Sequence, residues 1–103
     1  MKTLLTAITL TLTLATAASA EEPLDAAEFC KRVAGIAESF MENRQAGVPM
    51  STTIEIAGPS EYFRAIAIDA YSTPRYMTKP AQVREQEKFR DKIYLQCFVA
   101  LSE

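Results

Sequence analysis

Histidine is absent from this chain of 103 residues, and glycine and cysteine are scarce, with three and two copies. Without histidine the sequence lacks the Ser-His-Asp and Cys-His catalytic arrangements and the usual zinc sites. The glycines, Gly35, Gly47 and Gly58, lie too far apart for a phosphate-binding loop. Glu38 and Glu42 form a carboxylate pair at helical spacing, but a two-carboxylate hydrolase needs a deep cleft, which a small domain rarely builds. We therefore predict no catalytic residue, no metal site and no cofactor.

The start of the chain has the features of a cleavable export signal. Lys2 supplies a positive charge, residues 4–14 are apolar and uncharged, and the Ala-Ser-Ala segment at 18–20 is a small-residue cleavage motif. The apolar run is shorter than the roughly 20 residues that cross a bilayer, which favours cleavage over an uncleaved anchor. We predict a signal peptide at residues 1–20 and a single small helical domain at residues 21–103. The expected localisation is periplasmic or secreted, with no stable membrane anchor after cleavage.

Charge is distributed unevenly along the chain. The formal net charge is −2, which argues against nucleic acid as a partner, because nucleic acid attracts positively charged surfaces. Residues 21–74 hold four basic and nine acidic side chains, whereas residues 75–92 hold six basic and three acidic ones. We interpret this asymmetry as a basic last helix that lies against an acidic first helix. A dedicated anion-binding face is the alternative.

Apolar residues at three- and four-residue steps predict a helix at each end of the domain. The first helix is expected over residues 25–46, opened by Asp25 or nearby Pro23 and closed by Gly47. Gly35 lies inside it at a cost of about 1 kcal/mol relative to Ala, which predicts a close approach by another helix. The last helix is expected over residues 80–101. The first apolar stripe consists of Phe29, Cys30, Val33, Ile36, Ala37, Phe40 and Met41, and the second of Val83, Gln86, Phe89, Ile93, Cys97 and Leu101.

The middle of the domain is less regular in its pattern. Thr52 and Glu55 match a capping box and predict a short second helix, although the β-branched residues that follow Thr52 also suit a strand. Residues 60–71 predict a third helix, and residues 72–76 an irregular link. The expected fold class is all-α: a small bundle of three to four helices in which one disulfide joins the first and last helices.

The two cysteines, Cys30 and Cys97, lie on the apolar stripes of the first and last helices. In an exported chain with two cysteines a disulfide is expected, and it requires that these helices run antiparallel or cross there. Two buried free thiols are the alternative, because free cysteine packs as a small hydrophobe. A redox role is not expected, since catalytic dithiols are typically close in sequence.

Arginine, glutamine and tyrosine are clustered around two expected turns. Arg44 and Gln45 stand at the end of the first helix, and Tyr71, Arg75 and Tyr76 surround the irregular link. Such residues can serve structure alone, because arginine satisfies loose carbonyls at a helix C-terminus and tyrosine buries its ring. They are also enriched where proteins meet partners. We therefore name these five residues as a candidate interaction surface.

Three short motifs resemble a group of small exported proteins of proteobacterial and phage genomes that has no assigned activity. The motifs are Arg44-Gln45-x-Gly47-Val48, Ala70-Tyr71-x-x-Pro74-x-Tyr76, and the pattern of Phe89, Tyr94 and Cys97. This resemblance covers most of the predicted domain and implies a Gram-negative periplasm and a helical, disulfide-tied fold, with no catalytic residue. In architecture only, the chain is also similar to the small periplasmic acid-stress chaperones of the HdeA kind.

Taken together, these patterns favour a non-catalytic binding or interaction module whose partner is another periplasmic or envelope protein. A stress chaperone that holds unfolded clients is the first alternative, and its 13 carboxylates would respond to strong acid. A small enzyme is the second alternative. The sequence leaves the oligomeric state open.

Overall fold

The computed structural model describes residues 25–102, which form four α-helices and no strand. The helices are α1 (Ala26–Ala46), α2 (Met50–Ala57), α3 (Glu61–Tyr71) and α4 (Lys79–Ser102). The predicted all-α fold class is confirmed. The predicted signal peptide lies outside the described residues.

Helix α1 begins and ends where its sequence predicts. Asp25 caps its N-terminus, because one carboxylate oxygen accepts a hydrogen bond of 2.8 Å from the backbone N–H of Glu28. Gly47 ends it with a left-handed φ of 82°, and the N–H groups of Gly47 and Val48 donate to the carbonyl oxygens of Arg44 and Asn43. This paired arrangement satisfies two carbonyls that would otherwise lack partners at the helix end.

The two middle elements are helices, so the strand alternative is wrong. Helix α2 begins at Met50 after Pro49, and no side chain caps it. The predicted capping box is therefore wrong: Thr52 already lies inside the first turn, where its N–H donates to the carbonyl of Pro49. Helix α3 is capped by Ser60, whose hydroxyl accepts from the N–H of Phe63 at 3.2 Å.

Helices α1 and α4 run antiparallel and form the spine of the bundle. Cys30 near the start of α1 is disulfide-bonded to Cys97 near the end of α4, with a Cα–Cα distance of 5.6 Å. At the opposite end, the side chain of Gln45 on α1 is hydrogen-bonded to the backbone of Tyr76, just before α4. The predicted disulfide is confirmed, and both cysteines are buried. The core consists of Cys30, Val33, Ala37, Phe40, Met41, Ile66, Ala67, Ala70, Phe89, Ile93 and Cys97.

Two details of the predicted packing are wrong. A Cβ built on Gly35 would meet nothing within 4 Å, so this glycine marks open surface and not a close helix approach. The apolar stripes also extend beyond what the bundle covers, because Phe29 and Ile36 on α1 and Leu101 on α4 are exposed.

The predicted charge pairing between the first and last helices is present in one ion pair. Arg90 on α4 lies 3.7 Å from a carboxylate oxygen of Glu38 on α1. Lys92 on α4 lies 2.8 Å from Asp69 on α3. All four side chains are substantially exposed, so solvent screening leaves each pair with little effect on stability. The basic character of α4 thus has a partial structural explanation.

Candidate interaction site at one end of the bundle

The turn after α1 meets the link between α3 and α4 at one end of the bundle. All five residues of the predicted interaction surface, Arg44, Gln45, Tyr71, Arg75 and Tyr76, lie here, together with Gly47. We call these six residues the junction. Hydrogen bonds across the junction join residues that are about 30 positions apart in the chain, as from Arg75 to Gln45. The irregular link therefore has a defined conformation because side chains from α1 hold its backbone.

Gln45 is the buried centre of the junction. Its side chain is only 1% exposed. Its amide nitrogen donates to the carbonyl of Pro74 at 2.9 Å, and its amide oxygen accepts from the N–H of Tyr76 at 2.8 Å. Placing Gln45 on an interaction surface is thus wrong, because this amide replaces the hydrogen bonds that the link backbone would otherwise make with water. Gln45 is a positioning residue.

The two arginines are fixed by their Nε atoms. Arg44 Nε donates to the carbonyl of Thr73 at 2.8 Å, and its guanidinium lies 5.5 Å from the ring centroid of Tyr71. Arg75 Nε donates to the carbonyl of Gln45 at 2.9 Å. These bonds use one donor of each guanidinium, and no other hydrogen bond of the described residues involves their terminal nitrogens. Each arginine therefore keeps terminal N–H donors that can bind another molecule.

Gly47 is required at this position for two separate reasons. Its φ of 82° belongs to the left-handed region, which residues with a side chain rarely adopt. A Cβ on Gly47 would also lie 2.8 Å from Cζ of Arg75. The absence of a side chain lets the guanidinium of Arg75 lie flat against the turn.

Tyr71 has a structural role in the same region. Its hydroxyl donates to the carbonyl of Val48 at 2.7 Å and lies 2.8 Å from the hydroxyl of Thr53. Thr53 is fully buried and also accepts from the amide of Asn43 at 3.3 Å. This chain of hydrogen bonds joins α1, α2 and α3 behind the two arginines. Sequence reasoning missed Thr53 and Asn43, because hydroxyl and amide groups on separate helices give no periodic signal before the fold brings them together.

The outer face of the junction is formed by the link. Arg75 is exposed, Tyr76 is 37% exposed, and the next residue, Met77, is 95% exposed. The backbone of Tyr76 is held on both sides, since its N–H binds Gln45 and its carbonyl accepts from Gln82 of α4 at 2.8 Å. The link thus exposes a cation, an aromatic ring and a thioether at three consecutive positions, and hydrogen bonds to α1 and α4 hold its backbone.

A groove lies between α1 and α4, away from the junction. This groove has a volume of about 390 Å³ and is lined by Lys31, Ala34, Gly35, Glu38, Arg90, Asp91 and Tyr94. Arg90 donates to Asp91 at 3.1 Å and faces Glu38, and the hydrogen bond and charge of Asp91 raise the pKa of this guanidinium. The lining contains no serine, threonine or cysteine as a nucleophile. Within residues 25–102, no three side chains of the metal-binding types lie close enough to hold an ion.

The disulfide end of the bundle presents exposed apolar side chains. On the last turns of α4, Leu95 is 62% exposed, and Phe98, Val99 and Leu101 are exposed as well. The ring of Phe98 stacks on Tyr94 with 5.9 Å between the centroids. We call Leu95, Phe98, Val99 and Leu101 the apolar end. Most of the length of α4 separates the apolar end from the junction. None of the helices in the described part of the chain is long and apolar enough to cross a bilayer.

Fold and site together define a small, disulfide-bonded helical protein with a rigid polar junction at one end and exposed apolar residues at the other. Comparison of the chain with protein-family models, with curated proteins and with solved structures finds no match. A function is therefore best argued from the two ends of this bundle.

Proposed function

We propose that this protein is an exported interaction module that acts by contact with another protein of the periplasm or envelope, without catalysis. The export pattern of residues 1–20 supports this location. The disulfide between Cys30 and Cys97 supports it as well, because structural disulfides persist in oxidising compartments. Osmotic-shock fractionation tests the location. A mature chain that begins at Glu21 is expected in the periplasmic fraction, and a full-length chain in the cytoplasm would contradict the proposal.

The observation that most directly supports contact through the junction is its rigidity. Arg75 and Tyr76 are exposed, yet the Arg75 side chain donates through Nε to the carbonyl of Gln45, and the backbone N–H of Tyr76 donates to the amide oxygen of Gln45. A side chain that is already ordered loses less conformational entropy when a partner binds, and this loss is about 0.5–1.5 kcal/mol for a flexible side chain. Arginine and tyrosine are also the residue types that dominate the energy of many interfaces.

Site-specific photo-crosslinking in cells tests this assignment. A photoreactive residue replaces Tyr76 in one variant and Leu95 in a second, since both side chains are exposed and they lie towards opposite ends of α4. We expect a discrete crosslinked product from position 76 and none from position 95. Crosslinking from position 95 alone, or equally from both, would contradict the assignment.

A second function is favoured by the apolar end. Leu95, Val99 and Leu101 each expose half or more of their surface, and exposed apolar patches are typical of sites that bind other apolar chains. A holdase that protects unfolded clients would use such a surface. The assay is suppression of client aggregation at about pH 2–3, where carboxylates are protonated. Protection by the wild type that is lost in Leu95→Ser would favour the holdase, and no protection would exclude it.

A further inference from the structure

The junction lies within two segments that contain no carboxylate. Between Glu42 and Glu55 the only charged residue is Arg44, and between Asp69 and Glu85 the charged residues are Arg75, Lys79 and Arg84. These four cations, which we call the cation surface, stand in a chain whose net charge is −2. All thirteen carboxylates lie elsewhere in the sequence. The positive charge is therefore concentrated in these two segments, which meet through the hydrogen bonds of Arg44 and Arg75.

This charge is not neutralised inside the described part of the protein. The four ion pairs found within residues 25–102 involve Lys88, Arg90 and Lys92, and none involves a member of the cation surface. The basic residues of α4 thus divide into two groups. Those in the middle of the helix pair with carboxylates of the bundle or of α4 itself, whereas those at its start face solvent.

The geometry of the arginines favours a carboxylate ligand. Arg44 and Arg75 are anchored through Nε, and within residues 25–102 the terminal nitrogens of neither guanidinium donate a hydrogen bond. Two parallel N–H donors match the two oxygens of a carboxylate. Beside them, Tyr76 and Met77 expose aromatic and thioether surface. A free inorganic anion would gain nothing from these apolar neighbours, whereas a polypeptide that carries both acidic and apolar side chains would contact both.

Resting on the proposed function, we infer that the cation surface binds an acidic segment of the partner polypeptide, in which Asp or Glu side chains alternate with apolar ones. The carboxylates bind the guanidinium edges of Arg44 and Arg75, and the apolar side chains lie on Tyr76 and Met77. Lys79 and Arg84 add attraction that steers the encounter.

Binding of a synthetic peptide tests this inference. The probe is a fluorescein-labelled peptide of Glu-Leu repeats, and a Gln-Leu peptide of the same length is its control; fluorescence anisotropy gives the Kd. We expect binding of the acidic peptide only, and weaker binding as salt rises from about 20 to about 200 mM, because exposed charges are screened. Equal binding of both peptides, or displacement by inorganic phosphate beyond that by sodium chloride of equal ionic strength, would overturn the inference.

A matched pair of substitutions locates the bound peptide. Lys79→Gln and Lys31→Gln make the same chemical change, and neither lysine belongs to an ion pair of the described residues. Lys31 lies beside the disulfide, near the opposite end of the bundle. We expect Lys79→Gln to weaken binding up to about fivefold, the range of an exposed charge pair, and Lys31→Gln to leave it unchanged. Equal effects of the two substitutions would overturn the location.

Arg75→Lys tests whether the planar guanidinium is needed. It keeps the charge and removes the paired donors, so the expected loss of affinity exceeds that of Lys79→Gln; equal or smaller loss would contradict the carboxylate geometry. Far-UV circular dichroism confirms that the variant is folded. If the acidic peptide fails to bind while crosslinking from position 76 persists, the acidic class is wrong and the proposed function stands. If position 76 gives no crosslink, the proposed function fails first.

Discussion

Replacing Gly47 with alanine tests the junction most directly, because the structure assigns two separable costs to the new methyl group. The first is conformational, since the backbone φ of 82° places the residue in the left-handed region. The second is a contact, since the Cβ would lie 2.8 Å from Cζ of Arg75. A guanidinium is the end of a flexible side chain and can move away. In moving, Arg75 leaves the carbonyl of Gln45, to which its Nε donates at 2.9 Å.

Each cost has an expected size. A left-handed conformation costs an L-residue about 1 kcal/mol or somewhat more. The lost hydrogen bond of Arg75 is part-buried, and such a bond contributes about 1 kcal/mol net. Gly47→Ala should therefore lower the free energy of unfolding by about 2 kcal/mol. In an Arg75→Ala background the hydrogen bond is already absent, so the same substitution should cost only about 1 kcal/mol.

Four proteins complete this double-mutant cycle: the wild type, Gly47→Ala, Arg75→Ala and the double variant. Urea unfolding followed by far-UV circular dichroism gives the free energy of each. We expect the two substitutions to cost about 1 kcal/mol less together than the sum of their separate costs. Additivity within about 0.3 kcal/mol would refute the contact between Gly47 and Arg75, since independent sites behave in this way.

Further predictions concern the rest of the bundle. Reduction of Cys30–Cys97 should lower the free energy of unfolding by about 4.4 kcal/mol, from the chain entropy of the 67-residue separation; a change below about 1.5 kcal/mol in urea unfolding would contradict this. Gly35→Ala should raise the thermal midpoint, because the methyl group meets nothing within 4 Å and alanine favours a helix by about 1 kcal/mol. Gln45→Leu should cost about 2 kcal/mol in urea unfolding by leaving link backbone groups unpaired. Stability should be constant between about pH 6 and 8, because the chain has no histidine. Arg90 does not alter this expectation. Its pKa is raised in the folded protein, so its contribution to stability is complete at pH values below the ordinary arginine pKa and is lost only at higher pH.

The parts of the fold that the sequence predicted are those set by local chemistry. The limits of α1 followed from a carboxylate cap at Asp25 and a glycine at Gly47, and both residues act as expected. The two cysteines on apolar stripes predicted the disulfide, and with it first and last helices that either run antiparallel or cross there. Each of these signals depends on residues within one helix, or on a covalent rule that does not require the fold to be known.

Other features depend on contacts between distant segments, and the sequence could not predict them. The clustering of the junction residues was inferred from composition, but the burial of Gln45 follows from the path of a link about 30 residues further along the chain. The residues from Thr52 to Glu55 match a capping box, but α2 begins two residues earlier, at Met50. The predicted close approach at Gly35 was wrong, because helical spacing alone does not show which flank of α1 another helix covers.

The two ends of the bundle are held by different chemistry, and this difference separates stability from binding. The disulfide stabilises mainly by restricting the unfolded chain, so its reduction leaves the hydrogen bonds of the junction in place in every molecule that stays folded. The Kd of folded, reduced protein for the acidic peptide should therefore equal that of the oxidised protein. Gly47→Ala has a smaller effect on stability but displaces Arg75, and it should weaken binding. If affinity instead follows global stability across these variants, the peptide recognises the fold as a whole and the junction is not its site.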